Sequence, residues 1–208
     1  MLIGVSLGPG DPDLLTYKAA DALRRAEKVF VPGEMAADLV RPYSRPEMLK
    51  FPMISDKNKL EEIWAENADR VASYASRTKT AFACIGDVNT FSTFSHLRRV
   101  LKERHPSIKV ETIPGVGTIP ALASKFEVDL STSFQVTDGS PVKTVIRMKA
   151  VRPAEVAAEL REEGFDEFIL GTRLYTPEEK IIRGDMPERS DYFSVLYARR
   201  RSRRKENK

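Results

Sequence analysis

The sequence predicts an α/β fold of two lobes, the first built on a parallel sheet with helices on its faces. Three observations carry the prediction. Short apolar runs alternate with helical patterns from Leu2 to Ile113, the signature of strands that run parallel and need a crossover helix between them. Three of these runs empty into glycine-bearing loops: Gly8-Pro9-Gly10-Asp11-Pro12, Gly86-Asp87-Val88-Asn89-Thr90-Phe91-Ser92-Thr93-Phe94 and Pro114-Gly115-Val116-Gly117-Thr118. Beyond Pro114 the pattern becomes richer in strands. The expected division is therefore an N-terminal lobe over 1–112, a C-terminal lobe over 115–198 and a basic tail over 199–208.

Taken in order, Leu2–Leu7 reads as a buried strand. Asp11 as N-cap with Pro12 at the first helical position opens a helix, whose apolar face is Leu15, Ala19, Ala22, Leu23 and Ala26. Val29-Phe30-Val31 is a strand stopped by Pro32-Gly33, and 34–57 is broken by prolines without a clear period. Asn58–Arg77 is a long amphipathic helix through Leu60, Ile63, Trp64, Ala68, Val71, Ala72 and Ala75. Ala81–Ile85 is a strand, Phe91–Arg104 a helix with Phe94, Leu97 and Leu101 inward, and Val110–Ile113 a strand. A small-residue helix, Ile119–Phe126, precedes strands near Ser133–Val136 and Thr144–Met148. A helix over Ala154–Glu163 stopped by Gly164, then strands near Phe168–Leu170 and Tyr192–Ala198, complete the pattern.

Composition narrows the function. With 41% hydrophobic and 31% charged residues over 208 positions, the chain is long enough for a real core and has the balance of a globular protein. No apolar run reaches membrane-spanning length, and the start lacks a signal-peptide pattern. A cytoplasmic location is expected. Cys84 is the single cysteine and His96 and His105 the only histidines, so neither an intrachain disulfide nor a Cys- or His-built metal site is expected. The net charge is +4, yet residues 199–208 alone hold seven Lys/Arg against one Glu, leaving 1–198 near −2. The basicity belongs to a terminus, where solvation is the ordinary role, and no nucleic-acid partner is expected.

The loops carry the chemistry. The first is not a phosphate cradle: no Lys-Ser/Thr follows its glycines, and Pro9 and Pro12 remove two of the backbone N–H groups such a cradle needs. Asp87 stands just past a strand end, where open sheets place their ligand crevices, or it caps the helix that follows. Phe91 and Phe94 read as core. Gly115 and Gly117 open a helix of small residues, which allows close approach of a ligand or of a neighbouring element. No nucleophile–base pair stands out, and Cys84 is expected to be buried. Chemistry supplied by a cofactor and by positioning fits this set of residues.

Together the loops resemble those of the tetrapyrrole methylase family, the class III S-adenosylmethionine-dependent methyltransferases. The family's GxGPGDPxxLTxKA opening is similar to the stretch Gly4–Ala19, its GDPxxY loop to Gly86–Phe91, and its PGxxS/T segment to Pro114–Thr118. The likeness runs from residue 2 to about 200. It implies two α/β lobes with the cofactor cleft between them, S-adenosyl-L-methionine held largely by backbone, and a homodimer. The positions that match the family's contacts are Pro9, Gly86, Asp87, Thr90, Gly117, Thr118 and Met148; no catalytic residue and no protein-bound metal are implied.

Within the family the C20-methylating branch is similar at further points: GDPxxYSTF to Gly86–Phe94, FPM…LEExW to Phe51-Pro52-Met53 and Leu60–Trp64, and YFS…RRR to Tyr192-Phe193-Ser194 and Arg199-Arg200-Arg201. That branch methylates precorrin-2 or cobalt-factor II in corrin (cobalamin) synthesis, so a carboxylate-rich tetrapyrrole is the implied partner. Arg147 and Arg173 are candidates for its carboxylates, with plain surface charge the favoured role. Two residues depart from the loop pattern. Val88 replaces the loop proline and is expected to loosen the turn, and Phe91 replaces a tyrosine and its hydroxyl. Alternatives are a methyltransferase of the same fold with another target, such as diphthine synthase or an enzyme of another corrin carbon, and a binding paralogue with weakened catalysis.

Overall fold

The computed structural model describes residues 1–200. Residues 201–208, most of the run expected as a basic tail, lie outside the described residues. The chain forms two compact units that divide between Thr132 and Ser133.

The first unit is a five-stranded, fully parallel sheet. β1 (Leu2–Ser6), β2 (Lys28–Val31), β3 (Pro46–Met48), β4 (Thr80–Cys84) and β5 (Val110–Ile113) lie in the order β3-β2-β4-β1-β5. Successive side chains alternate between faces, and each face has its own helices. Val5, Leu7, Val29, Val31, Ala81 and Ala83 meet α1 (Tyr17–Arg25) and α2 (Glu34–Val40). Leu2, Phe30, Phe82 and Cys84 meet α3 (Lys57–Ala75) and α4 (Phe94–Arg104). The chain therefore leaves β1 along one face toward β2, and leaves β4 along the other face toward β5. Between the adjacent carboxyl ends of β1 and β4 lies the switch point at which open α/β sheets bind ligands. The helix α5 (Thr118–Phe126) belongs to this unit, with Pro120 in its first turn, where a missing N–H costs nothing.

The second unit is an antiparallel sheet. β6 (Thr144–Met148), β7 (Glu167–Thr172), β8 (Lys180–Arg183) and β9 (Ser194–Arg199) pair in the order β6-β9-β7-β8. Among the described residues its one helix is α6 (Pro153–Glu162), which buries Ala157 and Leu160 against Phe168, Leu170, Leu196 and Ala198. β9 runs through Arg199, so the first residue of the basic run is in the sheet, and Arg200 lies over the Phe165 ring at 4.4 Å.

Several expectations are corrected. Asp11 caps only one turn of 3-10 helix, Pro12–Leu14, and α1 begins after Thr16, whose hydroxyl accepts the Ala19 N–H. Residues 34–57 hold a short helix and an edge strand, α2 and β3. The strand near Ser133–Val136 is absent, and β8 was not anticipated. The helix expected from Phe91 starts at Phe94. Phe94 is fully buried, but Phe91 is 70% exposed at φ +47 and is not core. Cys84 is buried as expected, and burial is the chief cause that pushes its thiol pKa up.

Candidate functional site

The three glycine-bearing loops follow β1, β4 and β5, which are neighbours in the sheet. They are tied to one another directly. Beyond the last paired residues, Ser6 and Cys84, the Gly86 N–H donates to the Gly8 carbonyl (2.7 Å) and the Gly8 N–H to the Gly86 carbonyl (3.3 Å). The exchange is an antiparallel bridge, made possible because both glycines hold positive φ, +74 and +75, where a Cβ would be strained. It places Pro9 beside the second loop at the switch point.

Asp87 joins the second loop to the third. Its Oδ2 accepts the Gly115 N–H at 3.0 Å, and its Oδ1 accepts the Asn89 N–H at 2.8 Å. Thr90 closes the same turn, donating its N–H to the Asp87 carbonyl at 3.1 Å, with Oγ1 3.5 Å from Oδ1. Gly117 lies alongside, where a Cβ would sit 3.7 Å from the Asp87 Cβ. Asp87 is thus not the cap of the following helix: Ser92 Oγ accepts the Phe94 N–H at the start of α4. Protein donors engage both of its oxygens. Its role in this unit is to fix the backbone.

Ser6 is the residue that sequence reasoning missed. Fully buried at the end of β1, its hydroxyl donates a hydrogen bond to the Ile113 carbonyl at 2.7 Å and lies 3.3 Å from Asp87 Oδ2. The same oxygen accepts the Val88 N–H at 3.0 Å. The signal was present: a lone hydroxyl on the face that carries Leu2 and Gly4, at the last position of an apolar strand. Gly115 packs on this residue so closely that a Cβ there would fall 2.6 Å from the Ser6 Cβ. Val88, expected to loosen the turn, is instead buried with its N–H bonded.

The structure therefore brings together Pro9, Gly86, Asp87, Thr90 and Gly117, with Thr118 opening α5 directly after Gly117. Met148 belongs to the second unit, at the end of β6, and is largely exposed. Of the two arginine candidates, Arg173 is paired with Asp191, its Nε 2.9 Å from Oδ2. Arg147 is exposed on β6. Among the described residues no helix is long and apolar enough to cross a membrane.

The arrangement suits a nucleoside-like ligand held by backbone. A Cβ on Gly10 or Gly86 would point into open space, so main chain is presented bare at the switch point, and among the described residues no cationic side chain enters the hydrogen bonds that join the loops. Known proteins resemble the chain over much of its length. The chain is 29% identical to a protein named as a probable cobalt-precorrin-2 C(20)-methyltransferase in Methanocaldococcus jannaschii, over 95% of each. It is 29% identical to the cobalt-precorrin-2 C(20)-methyltransferase of Salmonella typhimurium, over 64% of this chain and 60% of that one. The fold matches the solved structure of a cobalamin-biosynthesis precorrin-6Y methylase from Archaeoglobus fulgidus at a TM-score of 0.50 and 17% identity, covering 97% of this chain and 99% of that one. Residues 1–189 match the family described as Tetrapyrrole (Corrin/Porphyrin) Methylases, and the chain belongs to that family.

Proposed function

We propose that the chain transfers a methyl group from S-adenosyl-L-methionine to C20 of precorrin-2 or of cobalt-factor II in cobalamin biosynthesis. The observation that carries the reading is the knot of three loops at the switch point of the first unit. It is supported by near full-length likeness to a protein named for the C20 reaction. The bare backbone at Gly10 and Gly86 leaves room for the cofactor to approach, while Pro9 and Pro12 withhold two of the N–H groups that a phosphate cradle needs.

By motif position, Pro9, Gly86, Asp87, Thr90, Gly117 and Thr118 would hold the cofactor, with Met148 on β6 as a further contact. When bound, the cofactor supplies a methyl group already activated on a sulfonium. The protein's share is then alignment and exclusion of water. The Gly8–Gly86 bridge fixes the first loop against the second, and Asp87 fixes the second against the third. With both oxygens engaged, Asp87 works through the backbone it holds rather than as a base. The substrate's carboxylates call for cationic partners, and Arg147 is the better placed candidate because Arg173 already pairs with Asp191.

We propose further that the enzyme works in the cytoplasm as a homodimer of two-lobed chains. Titration calorimetry with S-adenosylhomocysteine tests the cofactor assignment. Binding at one site per chain with micromolar affinity is expected; no heat up to millimolar ligand would overturn it. Light scattering during size exclusion tests the dimer, with a mass twice that of the chain expected.

A further inference from the structure

We infer that Ser6 and Val88 form a paired lock that sets the geometry of the cofactor loops, making Ser6 a positioning residue for the methyl transfer. The inference rests on the cofactor reading above. Its starting point is that the residue at which the second loop departs from its pattern touches the end of β1. Ser6 is the last residue of β1, where the first loop begins. In the second motif, the proline of GDPxxY falls on Val88. These positions lie 82 apart in the chain, yet the Val88 N–H donates to Ser6 Oγ at 3.0 Å, and both residues are buried.

The physical logic is complementary. A proline at the second position has a fixed φ and no N–H, so it needs no partner. A valine brings a buried N–H that costs free energy if left unsatisfied, and it gives up the proline's rigidity. Ser6 offers that N–H a partner. Its hydroxyl accepts from Val88 on one side and donates to Ile113 on the other, beside Asp87 Oδ2. One side chain thus links β1, the second loop and the end of β5. The turn that valine would have loosened is held by a hydrogen bond in place of a ring.

The test is a double-variant cycle on the full chain, with S-adenosylhomocysteine affinity and amide hydrogen exchange of the ligand-free protein as readouts. Ser6→Ala removes the hydroxyl and strands the Val88 N–H. The Val88 and Gly115 amides are expected to exchange about tenfold faster, and affinity to fall about tenfold, the ratio that 1.4 kcal/mol of lost hydrogen bonding implies. Val88→Pro alone removes the donor and is expected to change both readouts by threefold or less. In Ser6→Ala/Val88→Pro neither partner is left stranded, so Gly115 protection and affinity should return to within about threefold of the wild type. Such rescue separates a lock from general loss of packing, which would make the double variant worse than either single one. The inference fails if Ser6→Ala leaves Val88 exchange unchanged, or if the double variant shows the product of the single losses. Wild-type chain that binds no S-adenosylhomocysteine while the exchange pattern holds would overturn the cofactor reading and leave the lock standing.

Discussion

At the scale of single residues, the site depends on atoms that keep backbone in place rather than on a reactive side chain. Asp87 is the clearest case, because each of its oxygens accepts a different loop's N–H. Asp87→Asn turns an acceptor into a donor and sets it against one of those N–H groups. Such a stranded pair costs about 1–3 kcal/mol. Urea unfolding should show a loss of that size, and S-adenosylhomocysteine should bind about tenfold more weakly. Gly4 is constrained from the other direction: a Cβ there would lie 2.6 Å from Phe94 Cε1, in a fully buried contact. Gly4→Ala should therefore cost about 1–3 kcal/mol by overpacking, read as a lower urea midpoint with unchanged slope. The sequence made Asp87 and its glycines legible because a Gly-Asp turn after an apolar strand is a local pattern. Ser6 stood out only as a lone hydroxyl at a strand end; its partners at Ile113 and Val88 were not legible, because they are set by strand order, which no local pattern records.

At the scale of elements, the long amphipathic helices and the buried strands of the first unit could be read from periodicity alone. α2 and β3 could not. Seven residues with half a polar face make a weak helical signal, and Pro46–Met48 is a three-residue edge strand opened by a proline, the place where sheets tolerate one. β8 escaped for a related reason: all four of its residues are exposed, so no alternation marks it. The reverse error, a strand at Ser133–Val136, came from apolar residues in a segment that pairs with nothing in the second sheet. β3 nonetheless carries a strong polar contact. Glu47 accepts two hydrogen bonds from Arg70 of α3 and pairs with Lys28 of β2. The Arg70 bonds chiefly hold its carboxyl at about 2, below the ordinary 4.5. A carboxyl depressed on folding stabilises the fold above its ordinary pKa, and that gain is lost as pH falls toward 2. Since Glu47 is partly exposed, a gain of about 1–2 kcal/mol is expected after screening. Between pH 5 and pH 2 the wild type should lose that much more stability than Glu47→Gln, measured by urea unfolding at each pH.

At the scale of the whole molecule, two units of different construction follow from the change in sequence pattern after the fifth strand. The first is wound on both faces of a parallel sheet, and its switch point is occupied by the glycine-bearing loops. The second is an antiparallel sheet with a helix on one face. The class of fold was legible from the alternation of strands and helices, and the three motif loops meet because β1, β4 and β5 are neighbours in the sheet, in the order β4-β1-β5. Thr132-Ser133, the division between the units, was less legible, since α5 continues the small-residue pattern of the third loop beyond β5. The account's central claim is methyl transfer to C20. It is tested most directly by incubating the chain with methyl-13C S-adenosylmethionine and either precorrin-2 or cobalt-factor II, then locating the label in the macrocycle by NMR. Label at C20 from at least one substrate is the predicted result. Label at another carbon, or none on either macrocycle while the cofactor binds, would contradict it.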